Sequence, residues 1–77
     1  MQLAFVFINV ELGAEDDVLK TLKKISNVKE AYAVYGVYDI VAKVEAESMK
    51  MLKNITWKIR KIDKIRSSMT MLVEKTE

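Results

Sequence analysis

The sequence contains no cysteine and no histidine. Without cysteine there is no disulfide and no thiolate metal site. Without histidine, the commonest metal ligand and the commonest general base are both missing. Proline is absent as well, and only two glycines occur. No apolar run approaches the ~18 residues of a membrane span. Met1-Gln2 leads straight into a strand-like run with no basic leader region, so no membrane partner is expected and the expected setting is cytoplasmic. Net charge is only +2, too small for composition alone to imply nucleic acid. Missing cysteine together with many Lys, Ile and Glu leans towards a thermophilic source, while the missing proline leans the other way.

What is present is a well-packed composition, 51% hydrophobic and 31% charged over 77 residues. That length makes one domain, residues 1–77. A domain of this size buries only about 60% of the surface its unfolded chain exposes. The usual supports are disulfides, metals or oligomerisation, and the third is the one left open.

An internal repeat organises the chain. At an offset of 37 residues, Leu22 matches Ile59, Ile25 matches Ile62 and Val28 matches Ile65. Val18 meets Ile55, Phe7 meets Val44 and Leu3 meets Ile40, and the pair Lys23-Lys24 meets Arg60-Lys61. Residues 3–10 are almost all apolar, β-branched or aromatic, which suits a strand covered on both faces. Gly13 breaks the run. Val18, Leu22 and Ile25 then follow helical spacing, with Glu15, Asp16 and Asp17 at the start and Lys20, Lys23 and Lys24 at the end, matching the macrodipole. Asn27 ends this helix. Strands follow at 28–35 and 38–46, hinged at Gly36 in a tight turn that needs positive φ or a bulge. Glu47-Ser48 opens a second helix with Leu52, Ile55 and Ile59 as its apolar stripe, and 65–74 is the last strand.

The order is βαββαβ. Right-handed crossovers then give an α+β, ferredoxin-like fold: a four-stranded antiparallel sheet, order 4-1-3-2, with both helices on one face. The first strand is apolar at both parities, Leu3, Phe5 and Phe7 alternating with Ala4, Val6, Ile8 and Val10. No element is left to cover the second sheet face. Each large side chain left wet forfeits roughly 1.5–3 kcal/mol, so that face is expected to pack on another copy.

Three stretches are candidate sites. Asp39 is a lone carboxylate in the greasy run "AYAVYGVYDIV" (31–41). It reads either as a solvated turn residue or as an acceptor for a ligand ammonium beside bare backbone at Gly36. The stretch "RSSMT" (66–70) puts Ser68 and Thr70 on one strand face and Ser67 and Met69 on the other. It reads as an ordinary edge strand or as a row of hydroxyls that can hold a carboxylate. Lys50, Lys53, Lys58, Arg60, Lys61, Lys64 and Arg66 supply seven of thirteen positive charges, with only Asp63 among them. With no aromatic platform interleaved, this reads as a solvated helix face ahead of a nucleic-acid surface. Trp57 and the methionines 49, 51, 69 and 71 read as packing or interface residues. No nucleophile–base pair, close carboxylate pair or phosphate-cradling loop emerges, so neither catalysis, metal nor cofactor is expected.

The whole chain resembles the effector-binding (RAM) domain of the Lrp/AsnC regulators. The residues that carry the likeness are "NVKEAYAVYGVYDIVAKVEA" (27–46), with its Gly-x-Tyr-Asp hairpin, and "KIRSSMTMLV" (64–73), similar to the family's Val-x-x-Thr-x-Thr strand. Two departures stand out. There is no helix-turn-helix, so the chain resembles a stand-alone version; and Asp63-Lys64 stands where the family often has Pro-Gly, with Ser68 replacing the first threonine.

The resemblance implies a non-enzymatic amino-acid-binding and oligomerisation module. Such modules dimerise through their sheets and assemble into rings, commonly octamers, and this one would act alone or with full-length regulators. It implies an effector site at Tyr35, Gly36, Val37, Tyr38, Asp39, Ser68, Met69 and Thr70, and no sequence-specific DNA binding. Two other readings remain: a small dimeric α+β-barrel enzyme, and a nucleic-acid binder using the basic second helix.

Overall fold

A computed structural model describes residues 1–74. Its elements are β1 (Gln2–Val10), α1 (Glu15–Lys23), β2 (Val28–Ala33), β3 (Ile40–Ala46), α2 (Met49–Arg60) and β4 (Ile65–Leu72). The sheet is antiparallel with order β2-β3-β1-β4, the expected order read from the other edge. Both helices lie on one face.

Period-two alternation decides what each strand buries. Ala4, Val6, Ile8 and Val10 of β1 and Ile40, Ala42, Val44 and Ala46 of β3 are all buried beneath the helices. Val18 and Leu22 of α1 and Leu52, Ile55 and Ile59 of α2 meet them. The alanines on the sheet side let the helices approach closely.

The helices are started by different devices. α1 has Ala14 at its N-cap with no side-chain cap bond, and three acids in its first turn offset the exposed amides. α2 has no acid there, and the Ser48 hydroxyl accepts the Met51 amide at 3.1 Å instead.

The 37-residue repeat is real in the turns that leave the helices. Ile25 N–H donates to Leu22 O and Val28 N–H to Ile25 O, and 37 residues on Ile62 donates to Ile59 and Ile65 to Ile62. In the strands the expected pairing slips. Phe7 and Leu3 point away from the helices whereas Val44 and Ile40 point towards them, so the true strand offset is one residue different. A one-residue slip inverts every side chain, which is why the repeat could not be carried through the strands.

Two boundaries also moved. α1 stops at Lys23, and residues 24–27 turn by i→i+3 bonds. Asn27 instead pairs its backbone and side chain with Glu45 (2.9 Å each), extending the β2–β3 ladder. The β2–β3 connection is a six-residue loop, 34–39, rather than a tight turn. Gly36 does adopt positive φ (140°) within it. Lys64, where the family it resembles often has glycine, sits at φ 75° and is the one non-glycine residue in the left-handed region among the described residues.

Candidate functional site

The loop 34–39 is drawn out by what Asp39 does. Its N–H donates to Ile8 O (2.9 Å), and its C=O accepts from Val34 N–H (2.8 Å). Its carboxylate Oδ2 accepts from Val10 N–H at 2.9 Å. Val10 needs that acceptor because the even residues of β1 turn their backbone towards β3, as the Ile8 carbonyl does, and the β1–β3 pairing ends at Ile8–Ile40, so no β3 residue meets the Val10 amide. On the β4 side, Asn9 pairs with Ser67 but Val10 with Ile65, leaving Arg66 as the extra residue of a bulge. A part-buried N–H beyond the end of the β1–β3 ladder would otherwise lack a partner. Asp39 is therefore neither a merely solvated turn residue nor a wholly free ligand acceptor. One oxygen is structural, and no hydrogen bond to the other is present among the described residues.

Asp39 lines two adjoining depressions. The first, about 390 Å³, is bounded by Asn9, Asp39, Arg66 and Ser67. Asn9 Nδ2 donates to Ser67 Oγ across it, at 3.4 Å. Arg66 and Asp39 do not pair with each other among the described residues, so the cleft holds opposite charges with room between them. The second, about 290 Å³, is bounded by Glu15, Ala33, Val34, Tyr35 and Asp39.

The other expected site residues divide. Tyr35 and Val37 stand almost fully out in solvent on either side of Gly36. Tyr38 folds back over the uncovered sheet face, its ring 5.5 Å from that of Phe7 and its hydroxyl donating to Met69 Sδ at 3.6 Å. Ser68 and Thr70 pair with Ile8 and Val6, so they project to the helix side of β4. Met69 pairs with Phe7 and projects to the other. The two hydroxyls thus lie outside the Asp39 cleft. Asn9, Arg66 and Ser67 take that place, and of these only Arg66 and Ser67 belonged to a stretch singled out in the sequence. The bulge that gathers them arises from strand register, which no local pattern announces.

The uncovered face is half apolar and half charged. Leu3, Phe5, Phe7, Val41, Met69 and Met71 occupy the β1–β4 side and its border. Towards β2, Lys43 lies 3.6 Å from Glu30 and 3.8 Å from Glu45. The Tyr32 hydroxyl donates to Glu30 Oε1 at 2.6 Å, which together with Lys43 holds the Glu30 carboxyl below its ordinary range and, in return, raises the Tyr32 hydroxyl. On the opposite side of the molecule, the exposed basic face of α2 proves to include an aromatic after all, since Trp57 is 56% exposed among its cations.

Ser67 is bonded to an amide rather than a base, and the cleft offers opposed charges, an amide and a hydroxyl. Groups of that kind suit the holding of a small polar molecule, the character of a binding domain. The family model described as Lrp/AsnC ligand binding domain matches residues 3–77, and the chain belongs to that family.

Among its relatives, the HTH-type transcriptional regulator FL11 of Pyrococcus horikoshii is 32% identical over 74 residues, 96% of this chain and 49% of FL11. The chain thus spans about half the length of that regulator. The crystal structure of FFRP-DM1 superposes with a TM-score of 0.90 at 42% identity, covering 95% of this chain and 99% of that one. A homocitrate synthase of Saccharolobus islandicus is 40% identical over 58 residues, 75% of this chain but 13% of the enzyme. No helix among the described residues is long and apolar enough to cross a membrane.

Proposed function

We propose that this chain is an effector-binding and assembly module that takes the zwitterionic head of a small amino acid in the Asn9–Asp39–Arg66–Ser67 cleft. The observation that carries the reading is the presence of one cation and one partly free carboxylate on the walls of a single depression of about 390 Å³. The ligand ammonium meets the second oxygen of Asp39. Its carboxylate meets the Arg66 guanidinium and the Ser67 hydroxyl, charge-assisted bonds that are roughly twice as strong as neutral ones. Tyr35, Gly36, Val37, Tyr38 and Met69 surround the hairpin and select the side chain by shape. Ser68 and Thr70 take part only from a neighbouring subunit.

Assembly belongs to the same reading. The uncovered face carries Phe5, Phe7, Met69 and Met71, and a second copy laid on it removes those side chains from water. Tyr35, Val37 and Leu12, all highly exposed, suit a further contact between such dimers, as a ring of octamer type requires. Partners drawn from regulators related to FL11 would use the same surfaces. Membership of a ligand-binding family and relatives that are regulators support a regulatory role over an enzymatic one.

The test is a thermal-shift screen over the twenty amino acids followed by calorimetry on a responder. The expected result is a hit whose affinity falls on Arg66→Gln. A hit indifferent to that change refutes the cleft, and no hit across the set refutes the amino acid.

A further inference from the structure

The outer surface of α2 is unlike any other in the molecule. Ile55 points into the core, so residues about 140° or more round the helix from it stand at the outer pole. Those residues are Lys50, Lys53, Trp57 and Arg60, with Lys61 just beside them, and all five are exposed. α2 contains no acid at all. Trp57 is the chain's sole tryptophan and is 56% exposed. Two of the cations sit against its ring, the Arg60 guanidinium 5.9 Å and the Lys61 ammonium 5.6 Å from its centre.

Other elements add to the basic field. Lys20, Lys23 and Lys24 close α1 at the same end of the helical layer at which α2 begins, and all are exposed. The acids nearby are few: Glu47 before α2, Asp63 after it, and Glu15, Asp16 and Asp17 at the start of α1. Asp17 is already engaged by Lys64 at 3.0 Å.

We propose that this outer pole docks single-stranded nucleic acid, a base stacking on Trp57 while its neighbouring phosphates lie on Lys50, Lys53, Arg60 and Lys61. Lys50 and Lys61 are about 16 Å apart along the axis at 1.5 Å per residue, which spans several nucleotides of a single strand. An aromatic platform among cations is the arrangement that holds unpaired bases, since every base has a face to stack. A duplex keeps its bases from the indole. An acidic polypeptide has charge but lacks the stacking face. A membrane surface needs an apolar stripe to insert, and that of α2 is committed to the core through Leu52, Ile55 and Ile59. The surface is on the opposite side of the sheet from the effector cleft, so the proposal stands independently of the effector reading.

Trp57 supplies its own signal. Titration with an oligodeoxythymidine of about 20 nucleotides at low salt should quench the indole emission. The logarithm of the affinity should fall with that of salt with a slope of about −0.7 per phosphate engaged, or roughly −2 to −3 for three or four. Trp57→Ala, followed by anisotropy of a labelled strand, should weaken binding about five- to 150-fold, the worth of one stacked base. Trp57→Phe should recover part of the loss, and Lys53→Glu with Lys61→Glu should abolish binding. The helix signal in circular dichroism should be unchanged in each, because all three positions are exposed. Equal binding of a duplex, of poly-glutamate or of anionic vesicles overturns the proposal. So does an unaltered affinity in Trp57→Ala.

Discussion

β1 presents two different sets of side chains to its two sides. Ala4, Val6, Ile8 and Val10 face the helices and are buried. Leu3, Phe5, Phe7 and Asn9 face the bare side and are only partly covered. The bulkier apolar residues are on the uncovered side. A strand that used its outer face merely for solvation would alternate apolar with polar, as antiparallel sheets with one wet face commonly do. The difference teaches that burial beneath the helices accounts for only one face of β1, and that the composition of the other suits the packing on a second copy proposed above. The sheet beneath the helices is closed within the chain, and the other side is left uncovered by any described element.

The sharpest test of the closed side is Ile8→Ala. Ile8 is fully buried between the helices and the sheet. Removing it should cost about 2–5 kcal/mol, depending on how far the cavity collapses. In a domain whose whole stability is roughly 5–15 kcal/mol, that brings the chain close to unfolding. Urea titration measures it, and the loss should not depend on protein concentration.

Phe7, the next residue back, should behave differently. Phe7→Glu places a charge on the uncovered side without touching the helix core. In sedimentation the parent is expected to be a dimer or larger at micromolar concentration, and the variant a folded monomer. The stability lost should be about 1.5–3 kcal/mol per chain, the worth of burying one phenylalanine, and it should grow with protein concentration. A parent that sediments as a stable monomer would mean that the second face is tolerated wet and that the two sides of β1 differ in composition only.

These two residues also mark what could be read from sequence and what could not. The helical stripes and the alternation along β1 were readable because period and burial coincide there. The four-strand order followed from the βαβ repeat and the handedness of crossovers. The loop 34–39 was not, because its aromatic and β-branched residues have strand propensity and only Asp39, reaching to Ile8 and Val10, diverts the backbone. The cleft was half visible. Asp39 stood out as a lone acid, but Asn9 and Arg66 join it through a bulge between strands more than fifty residues apart in the chain. Trp57 could have been placed at the outer pole of α2 by its two-residue offset from Ile55. Residue type alone groups it with the methionines as a packing residue, and only helical phase separates the two.

Asp39 links the two sides, since its backbone bonds to β1 while its carboxylate serves both the Val10 amide and the cleft. Asp39→Ala leaves the Val10 N–H without its acceptor and should cost about 1–3 kcal/mol. Asp39→Asn keeps an acceptor oxygen for Val10 and should cost less, about 1 kcal/mol or below. Yet it should weaken a responsive amino acid about ten- to 150-fold, because the ammonium loses its charged partner. Equal effects of the two substitutions on stability would remove the structural role, and unchanged binding in Asp39→Asn would remove the ligand role. Calorimetry and chemical denaturation separate them.

The smallest expected effect lies in the turn before β4, where Lys64 holds φ 75° and reaches Asp17 at 3.0 Å. The hydrogen bond and charge of Asp17 raise the Lys64 ammonium above its ordinary value, and Lys64 in turn lowers the Asp17 carboxyl. The lowered carboxylate contributes stability above its unfolded pKa of about 3.9, and this is lost as pH falls through the folded value. The raised ammonium contributes below its unfolded pKa of about 10.4, and this is lost as pH rises through the folded value. With no histidine or cysteine anywhere in the chain, stability should be nearly flat between about pH 5 and 9. Both groups are exposed, so salt should erase most of the pair's contribution. Lys64→Gly gives up that weak pair but relieves a left-handed lysine, and the melting temperature should move by less than about 5 °C. Lys64→Val loses the same charge and adds a β-branched side chain at positive φ, so it should melt clearly below the glycine variant. If the two variants melt together, the backbone at this turn is not held in the left-handed region, and the lysine is there for its charge alone.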